Sequence, residues 1–297
     1  MYIAIGHPAE EGIVSTELPD MIQGVDHLIV LGADLERSQR LWRAAGFTLT
    51  PRGFHQSGGT ANHLVMLDRT YIELLGMADS TTPSPYRAMA EQAPGLWGIA
   101  LRGSAEATYG FWHAQGLDPA PPASLARPVT IEGREELARF ALTQLPRSRE
   151  LPFLLFCCEH LTREFVWRED LPPHPNGATA LREVLIVDAG AVARKRIERI
   201  VGRAVSGDDQ TGTLQLADCR VSFLSRTDFT RRVGSEIAAR VRCAPPMLAG
   251  FALAVRDIEN ARRWVQRAGW PIRHSGSGGF TTAIPEAGAV IEWSLAQ

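Results

Sequence analysis

The sequence contains no apolar run that approaches the roughly 20 residues a helix needs to cross a bilayer. Its first residues lack a basic segment followed by an apolar core of signal-peptide length. It also has no excess of either charge, since 31 basic residues stand against 33 acidic ones. Without a net field the chain attracts neither nucleic acid nor anionic lipid. We therefore expect a cytoplasmic protein with no nucleic-acid partner and no membrane partner.

Cysteine is scarce, and the common catalytic motifs are missing. The four cysteines show no CxxC spacing of the kind that binds metals: Cys157, Cys158, Cys219 and Cys243. A disulfide framework is not needed in a chain of 297 residues, so we expect buried free thiols. No Gly-x-Ser-x-Gly elbow, Walker loop or His-Glu-x-x-His motif occurs. The serine-nucleophile and phosphate-transfer classes of enzyme therefore have no support.

Residues 24–76 predict a strand, an amphipathic helix and a hairpin. Asp34 can cap the start of the helix, and Gly46 stands where a left-handed residue would end it. Glu73 lies inside the last strand of the hairpin, where a buried carboxylate needs a partner. His27, in the first strand, is the nearest candidate.

The same pattern recurs three more times along the chain. Adding 70 to each position carries Trp42 onto Trp112, and Ser104 can cap the second helix. Adding 223 carries Asp34 onto Asp257. We predict four units with these bounds: 24–79, 94–168, 181–226 and 248–295.

The units are expected to pair into two domains of a soluble globular protein, as the 45% hydrophobic and 22% charged composition indicates. The first domain spans residues 21–170 and the second 181–297, joined by a proline-rich linker at 171–180. Residues 1–20 have no clear periodicity and are predicted to form an N-terminal arm. Residues 118–136, rich in proline, alanine and charge, are predicted to be a surface loop.

Two short segments indicate what kind of repeated unit this is. Asp-His followed by apolar residues opens the first strand at 26–31, and Tyr-Ile-Glu-Leu-Leu forms the last strand at 71–75. A βαβββ unit with these segments resembles the vicinal-oxygen-chelate superfamily of glyoxalases, epimerases, extradiol dioxygenases and fosfomycin-resistance proteins. Residues 59–63, 151–153 and 174–178 resemble the bacterial glyoxalase-like domain proteins, most of which are uncharacterised. The resemblance implies an α+β fold in which four βαβββ units pair into two glyoxalase/dioxygenase-like domains with cupped mixed sheets.

The resemblance also implies a site. In that superfamily each unit can supply one metal ligand from its first strand and one from its last, and these positions fall on His27 and Glu73. Imidazole and carboxylate are suitable ligands for Zn, Mn, Fe or Ni. Two substrate oxygens would complete the coordination, and the metal would act as a Lewis acid. His27 and Glu73 are therefore the candidate catalytic residues and the candidate metal ligands.

The other three units depart from this ligand pattern. The corresponding positions are Trp97 and Phe156, Glu183 and Ser222, and Gly250 and Glu292. Neither aromatic side chain can hold a metal as the family ligands do, so the first domain keeps only half of the usual ligand set. Glu183 and Glu292 are weaker candidates, of which Glu292 is retained as a metal ligand. The dioxygenase pattern, with two histidines and a glutamate in the second half of the chain, is not met.

The register of the hairpin decides which further side chains accompany Glu73. A two-residue turn places His63 on the helix side and the following residues on the face of Glu73: Asn62, Leu64, Met66, Tyr71 and Leu75. One extra turn residue reverses this and turns His63 towards Glu73 as a third ligand. The sequence leaves both registers open. The candidate substrate-binding residues are Asn62, Tyr71, Trp97 and His55.

We therefore expect a small-molecule enzyme, a lyase or isomerase that uses a divalent metal or an acid–base pair of His27 and Glu73. The alternative is a non-catalytic binding protein of the drug-sequestering or resistance type, in which the metal is lost and an aromatic cavity holds an apolar ligand. An extradiol dioxygenase is disfavoured because its histidines are missing. The expected partner is a small-molecule substrate or ligand, and a homodimer is compatible with this interpretation.

Overall fold

The computed structural model describes residues 21–55, 59–79, 81–82, 84–131, 133–208, 211–241, 247–275 and 278–296. The N-terminal arm predicted for residues 1–20 lies outside these ranges, as does Cys243. The other three cysteines are buried and free, as predicted.

The described part of the chain folds into two eight-stranded sheets. The first contains β1 (Gly24–Leu31), β2 (Gly53–His55), β3 (Thr60–Met66), β4 (Tyr71–Met77), β5 (Gly95–Arg102), β6 (Ala123–Ile131), β7 (Arg134–Gln144) and β8 (Leu154–His160). The second contains β9 (Ala178–Val187), β10 (Ser206–Gly207), β11 (Gly212–Gln215), β12 (Arg220–Leu224), β13 (Met247–Val255), β14 (Ile272–His274), β15 (Phe280–Ile284) and β16 (Ala289–Leu295).

The described helices connect these strands and are short. They are α1 (Leu35–Ala44), α2 (Arg87–Gln92), α3 (Ala105–Ala114), α4 (Gly190–Val201), α5 (Arg226–Val233), α6 (Ser235–Ala238) and α7 (Ile258–Arg267). Among the described residues, no helix is both long enough and apolar enough to span a membrane.

Each sheet joins two units through their first strands. The strand order is β2-β3-β4-β1-β5-β8-β7-β6 in the first sheet and β10-β11-β12-β9-β13-β16-β15-β14 in the second. β1 runs parallel to β4 and antiparallel to β5, and β9 relates to β12 and β13 in the same way. The prediction of an α+β fold with four βαβββ units in two mixed sheets is confirmed.

Local sequence signals set the helix ends. The Asp34 side chain accepts a hydrogen bond from the backbone N–H of Arg37 at 3.0 Å. Ser104 caps α3 in the same way, and Asp257 accepts from two backbone N–H groups at the start of α7. Gly46, with a φ of 81°, follows α1 in the left-handed region that favours glycine. These capping predictions are confirmed, because a cap depends on residues that are adjacent in the sequence.

Residues 118–136 are not a surface loop, so that prediction is wrong. The segment contains β6 and the start of β7, which form an antiparallel hairpin with Arg127 opposite Ala138. β6 is an edge strand, where Pro128 is tolerated although it lacks an N–H group. The edge position explains why a true strand has the composition of a loop. The opposite edge strand, β2, approaches β6, so the first sheet curls into a trough.

One hydrophobic cluster joins the two sheets. It contains side chains from α1, α3, α4 and α7 and from the helix-facing sides of both sheets. The Trp42 and Trp270 rings meet edge to face with centroids 5.8 Å apart, and the Trp112 indole N–H donates to the Ile200 carbonyl at 2.8 Å. The helices therefore pack between the sheets, and the concave face of the first sheet is left for a cavity. The division of the chain into domains at 171–180 stays a prediction, and β9 begins within that segment.

Candidate functional site

Strand β1 is interrupted by a β-bulge at Asp26. Its neighbours Val25 and His27 each have a partner in β5, whereas Asp26 has none. Consecutive residues of a regular strand face opposite sides of the sheet, but a bulge turns the extra residue away from that alternation. The Asp26 carboxylate thereby reaches the adjacent imidazole and accepts a hydrogen bond from Nδ1 of His27 at 2.7 Å.

Asp26 holds a second histidine as well. Its Oδ1 also accepts from Nε2 of His160 at 3.0 Å, and His160 lies at the end of β8, 134 residues along the chain. Burial alone raises the pKa of the Asp26 carboxyl, but the hydrogen bonds from His160 and His27 outweigh it and hold the pKa well below its usual range. Asp26 is therefore ionised, and His27 keeps its proton on Nδ1.

His27 turns its other ring nitrogen towards Glu73. The distance from Nε2 of His27 to Oε2 of Glu73 is 3.7 Å, which is longer than a hydrogen bond. The amide of Asn62 donates to the other carboxylate oxygen, Oε1, at 2.6 Å. The Tyr71 ring stacks on the imidazole, with ring centroids 4.4 Å apart. The structure thus brings His27 and Glu73 together and fixes each of them by a further contact.

His55 lies on the other side of Glu73. Its Nε2 is 3.7 Å from Oε1 of Glu73, and its Nδ1 is 2.8 Å from the hydroxyl oxygen of Thr60. Burial lowers the pKa of His55, although the negative charge of Glu73 acts in the opposite direction. The carboxylate therefore has a neutral imidazole beside it.

These side chains line one cavity of about 230 Å³. Strands β1 to β4 supply its polar wall: His27, His55, Thr60, Asn62, Tyr71 and Glu73. Strands β6 to β8 supply its apolar wall: Leu125, Phe140, Leu142, Leu154, Phe156 and Cys158. Burial raises the pKa of the Cys158 thiol well above its usual value, so this thiol is protonated. Arg127, on β6, adds a guanidinium to this wall, and Gln144, on β7, adds an amide.

A family model described as a glyoxalase-like domain matches residues 25–201, more than half of the 297 residues. The chain belongs to the glyoxalase-like domain family. The resemblance to the vicinal-oxygen-chelate superfamily is thereby confirmed, and the cavity described above lies within the matched residues. No curated protein matches the chain in sequence.

Solved structures with the same fold cover nearly the whole glyoxalase-like chain. A hypothetical protein from Staphylococcus aureus is similar with a TM-score of 0.63 and 13% identity, over 92% of this chain and 98% of that one. A triple mutant of 4-hydroxymandelate synthase from Streptomyces coelicolor is similar with a TM-score of 0.60 and 10% identity, over 92% of each chain. At such low identities the likeness shows the fold alone.

Of the four residues predicted to bind substrate, Asn62, Tyr71 and His55 line the cavity of the glyoxalase-like chain. Trp97 is not among the residues that line it, and its indole N–H donates to the Ala93 carbonyl at 2.6 Å. Trp97 stands at a bulge in its strand and packs against the cluster of Ile29, Leu75 and Leu154, which line the cavity, so its role in substrate binding stays a prediction.

That second bulge lies in β5, where Trp97 has no partner in β1. It corresponds to the bulge at Asp26, so Gly98 rather than Trp97 occupies the position equivalent to His27. The conclusion that the second unit supplies no first-strand ligand is unchanged, since glycine has no side chain.

The hairpin of the first unit has the register of a two-residue turn, with Leu64 opposite Glu73. His63 therefore faces the helix side, where its Nδ1 donates to the Thr50 carbonyl at 2.8 Å. Burial lowers the pKa of His63. The weaker prediction that His63 joins Glu73 as a metal ligand is wrong, because strand alternation places the two side chains on opposite faces.

In the second sheet an arginine lies between the two candidate carboxylates, Glu183 and Glu292. The guanidinium of Arg232, from α5, binds the Glu183 carboxylate through two N–H groups at 2.9 and 2.7 Å and donates through Nε to Glu292 at 3.0 Å. Burial raises the pKa of Glu183, but hydrogen bonds from Arg232 and Arg220 outweigh it and lower the pKa to about 2. Glu292 is thus one half of an ion pair, and its prediction as a metal ligand is wrong.

Proteins of this fold family often bind a divalent metal, so we compared two donor sets in the first sheet. Asp26, Cys158 and His160 each place one ligand atom within 4.8 Å of the others. Oδ1 of Asp26 already accepts the proton of His160 and the thiol is protonated, whereas Oδ2 of Asp26 and Nδ1 of His160 have no hydrogen-bond partner among the described residues. His27 and Glu73 face the cavity instead, and their 3.7 Å separation is close to the roughly 3.0–3.5 Å between two ligands bound at about 2.0–2.2 Å. The His27 and Glu73 donors are the better fit.

Sequence reasoning missed Asp26, His160 and Arg127. Asp26 precedes His27 directly, but regular alternation assigns it to the opposite face. His160 lies four residues after Phe156 on β8 and therefore shares its face, which is a signal that period-two spacing could have supplied. Arg127 lay in the segment predicted to be a loop.

Proposed function

We propose that this glyoxalase-like protein is a small-molecule enzyme, a lyase or isomerase, that transfers a proton in the cavity of the first sheet. One observation carries the proposal: Asp26 accepts the Nδ1 proton of His27 at 2.7 Å, and Nε2 faces Glu73 at 3.7 Å. A buried imidazole with an ionised carboxylate behind it and a free nitrogen towards a cavity is the arrangement of a general base or of a metal ligand.

The roles follow from the contacts. His27 removes a substrate proton through Nε2, because Nδ1 already carries the proton shared with Asp26. The ionised Asp26 then stabilises the imidazolium that forms. The His27 imidazolium returns the proton to the substrate, and the Glu73 carboxylate, whose Oε1 accepts from Asn62, stabilises that imidazolium or binds a metal through Oε2. Tyr71 fixes the plane of the His27 ring by stacking.

A divalent metal, when bound, would be held by His27 Nε2 and the Glu73 carboxylate and would act as a Lewis acid on a substrate oxygen. The second unit has no ligand at the positions that correspond to His27 and Glu73, so substrate or water would complete the coordination. His27 then serves as a ligand, and Asp26 orients it in the same way.

The experiment measures proton exchange and metal content together. Protein purified without chelator is analysed for metals and incubated in heavy water with small carbonyl and carboxyl compounds, and deuterium incorporation is followed by NMR. We expect exchange that falls by about 10²- to 10⁴-fold in His27→Ala and Glu73→Gln. His63→Ala is the matched control, because this histidine faces away from the cavity and its replacement leaves exchange unchanged. Exchange that persists undiminished in His27→Ala contradicts the proposal.

The second candidate function is small-molecule binding without catalysis. The apolar wall, with Phe140 and Phe156, and the missing second-unit ligands favour it. A metal-free protein that binds aromatic compounds, shows no exchange and is unaffected by Glu73→Gln would support this alternative. A ring-cleaving dioxygenase is not proposed, because both candidate carboxylates of the second sheet are bound to Arg232.

A further inference from the structure

Arg127 is a buried cation whose partner is not within the described part of the chain. Its side chain lines the cavity and is only 8% exposed. With the described residues its guanidinium forms neither an ion pair nor a side-chain hydrogen bond. Arg194, buried to 9% exposure, donates instead to the Asp208 carbonyl at 2.6 Å, and Arg102 pairs with Asp218 at 2.5 Å. Arg127 therefore differs from the other sequestered arginines of the fold.

An unpaired guanidinium in such a place is unfavourable on its own. Burial removes water from the charge and lowers the pKa of Arg127. Glu73 contributes only a longer-range attraction, since its Oε1 is bound by Asn62 and its Oε2 faces His27. The planar fork of N–H groups consequently remains available to an anion that enters the cavity.

The neighbouring backbone is shaped around this side chain. A Cβ at Gly53, on edge strand β2, would lie 2.9 Å from Nη1 of Arg127 and 2.5 Å from Oδ1 of Asn62. Only the missing side chain at Gly53 leaves room for the guanidinium where the two edges of the trough meet. Oδ1 of Asn62 is also buried and has no hydrogen-bond partner among the described residues. Two unsatisfied polar groups of opposite kind thus mark the same corner of the cavity.

The rest of the cavity restricts the size and nature of the anion. Its volume of about 230 Å³ is below the roughly 300–1,000 Å³ of sites that hold drug-sized ligands. Leu125, Phe140 and Phe156 line the same cavity as Arg127 and give it apolar surface. A single cation in an apolar wall matches one negative charge on a compact hydrophobic body.

We propose that Arg127 binds the carboxylate of a small organic acid whose apolar part lies against the apolar wall. This names the substrate class of the reaction proposed above and rests on that proposal. The acid spans the cavity from Arg127 to the polar wall, so that carbon atoms beyond its carboxylate meet His27 and Glu73. When the carbon next to the carboxylate loses a proton, the Arg127 cation offsets part of the negative charge that develops there.

Calorimetric titration with matched acids and amides tests this subsite. The probes are phenylacetate and 3-phenylpropionate, their neutral amides, and phenyl phosphate. We expect the wild-type protein to bind at least one acid about tenfold or more tightly than its amide, and Arg127→Gln to lose that preference. Arg127→Lys keeps the charge but not the planar pair of N–H groups, and should retain part of the preference for acids.

Arg139→Gln is the matched control. This arginine lies on β7 directly beside the β6 strand, is exposed, and its replacement removes the same charge from the opposite face of the hairpin. The Arg139→Gln variant should keep the preference for acids over amides. The subsite is overturned if amides bind as well as acids, if no acid binds, if Arg127→Gln keeps the preference, or if phenyl phosphate binds more tightly than either acid. Arg127→Lys decides the matter if the glutamine variant does not fold.

The binding of acids and the exchange of deuterium can be lost independently of each other. Acids that bind through Arg127 but never exchange deuterium would remove the proposed enzyme while the anion subsite stands. Exchange that depends on His27 but is unaffected by Arg127→Gln would leave the enzyme and remove the subsite.

Discussion

Replacing Asp26 by asparagine removes one negative charge from the most enclosed position of the site and leaves the shape of the side chain nearly unchanged. In the native protein the carboxylate accepts two histidine hydrogen bonds, at 2.7 and 3.0 Å. The pKa of Asp26 lies below its usual value in spite of burial, so the ionised form is stabilised by more than its desolvation costs. The variant must therefore be less stable.

The magnitude follows from the two hydrogen bonds. A bond to a charged group contributes roughly 1.5–3 kcal/mol, about twice as much as a neutral one. Loss of the charge should weaken each by about half, so we expect Asp26→Asn to lose about 1.5–3 kcal/mol of unfolding free energy. His27 would also lose the acceptor that fixes its proton on Nδ1, and proton exchange should fall by about 10²-fold or more.

Urea denaturation across a pH series provides the assay. Because the folded pKa of Asp26 is depressed, its contribution to stability is complete above the unfolded value of about 3.9 and is lost as the pH falls further, towards the folded value. The difference between wild type and Asp26→Asn should thus be constant near neutrality and shrink below about pH 4. Nitrogen-15 spectra of the histidine rings report the tautomer of His27. Equal stability of the two proteins at neutral pH, with an unchanged tautomer, would refute the reasoning.

Three further predictions concern the rest of the fold. Arg232→Met removes the cation that lies between the Glu183 and Glu292 carboxylates and should lower the unfolding free energy by about 3–5 kcal/mol in urea denaturation. Replacement of the exposed neighbour, Arg231→Met, should lower it little. Because the pKa of Glu183 is lowered to about 2 from 4.5, the stability it contributes is present above pH 4.5 and lost as the pH falls towards 2; a pH-independent difference between wild type and Glu183→Gln would contradict this. Trp112→Phe leaves the Ile200 carbonyl unpaired and should lower the unfolding free energy by about 1–3 kcal/mol, which thermal melting would detect. An unchanged melting temperature would show that the indole hydrogen bond is not needed.

The repeat architecture was predictable because its signals are local. Asp34, Ser104 and Asp257 each accept from backbone N–H groups two or three residues away, so the sequence alone contains the interaction. The hairpin that carries Glu73 allowed two registers, and the closed two-residue turn selects one of them. The pairing of Glu73 with His27 followed from the physical need of a buried carboxylate for a partner.

The remaining parts of the site depend on features that no local pattern contains. Two bulges displace Asp26 and Trp97 by one position each, and a period-two pattern cannot reveal a residue that breaks the period. The contact between Asp26 and His160 joins positions 134 residues apart. Arg127 was hidden because an edge strand with Pro128 has the composition of a loop.

The tryptophan contacts between the sheets also bear on how such a chain can evolve. Trp42 contacts Trp270, and the Asn176 side chain in the connecting segment donates to the Ala45 carbonyl at 2.9 Å. Each half therefore buries apolar surface of the other. Gene duplication can create a chain of this kind, but a later exchange of one half for a foreign copy would have to preserve these matching surfaces. The second half, whose two candidate carboxylates are bound to Arg232, consequently supplies packing surface that the first half requires.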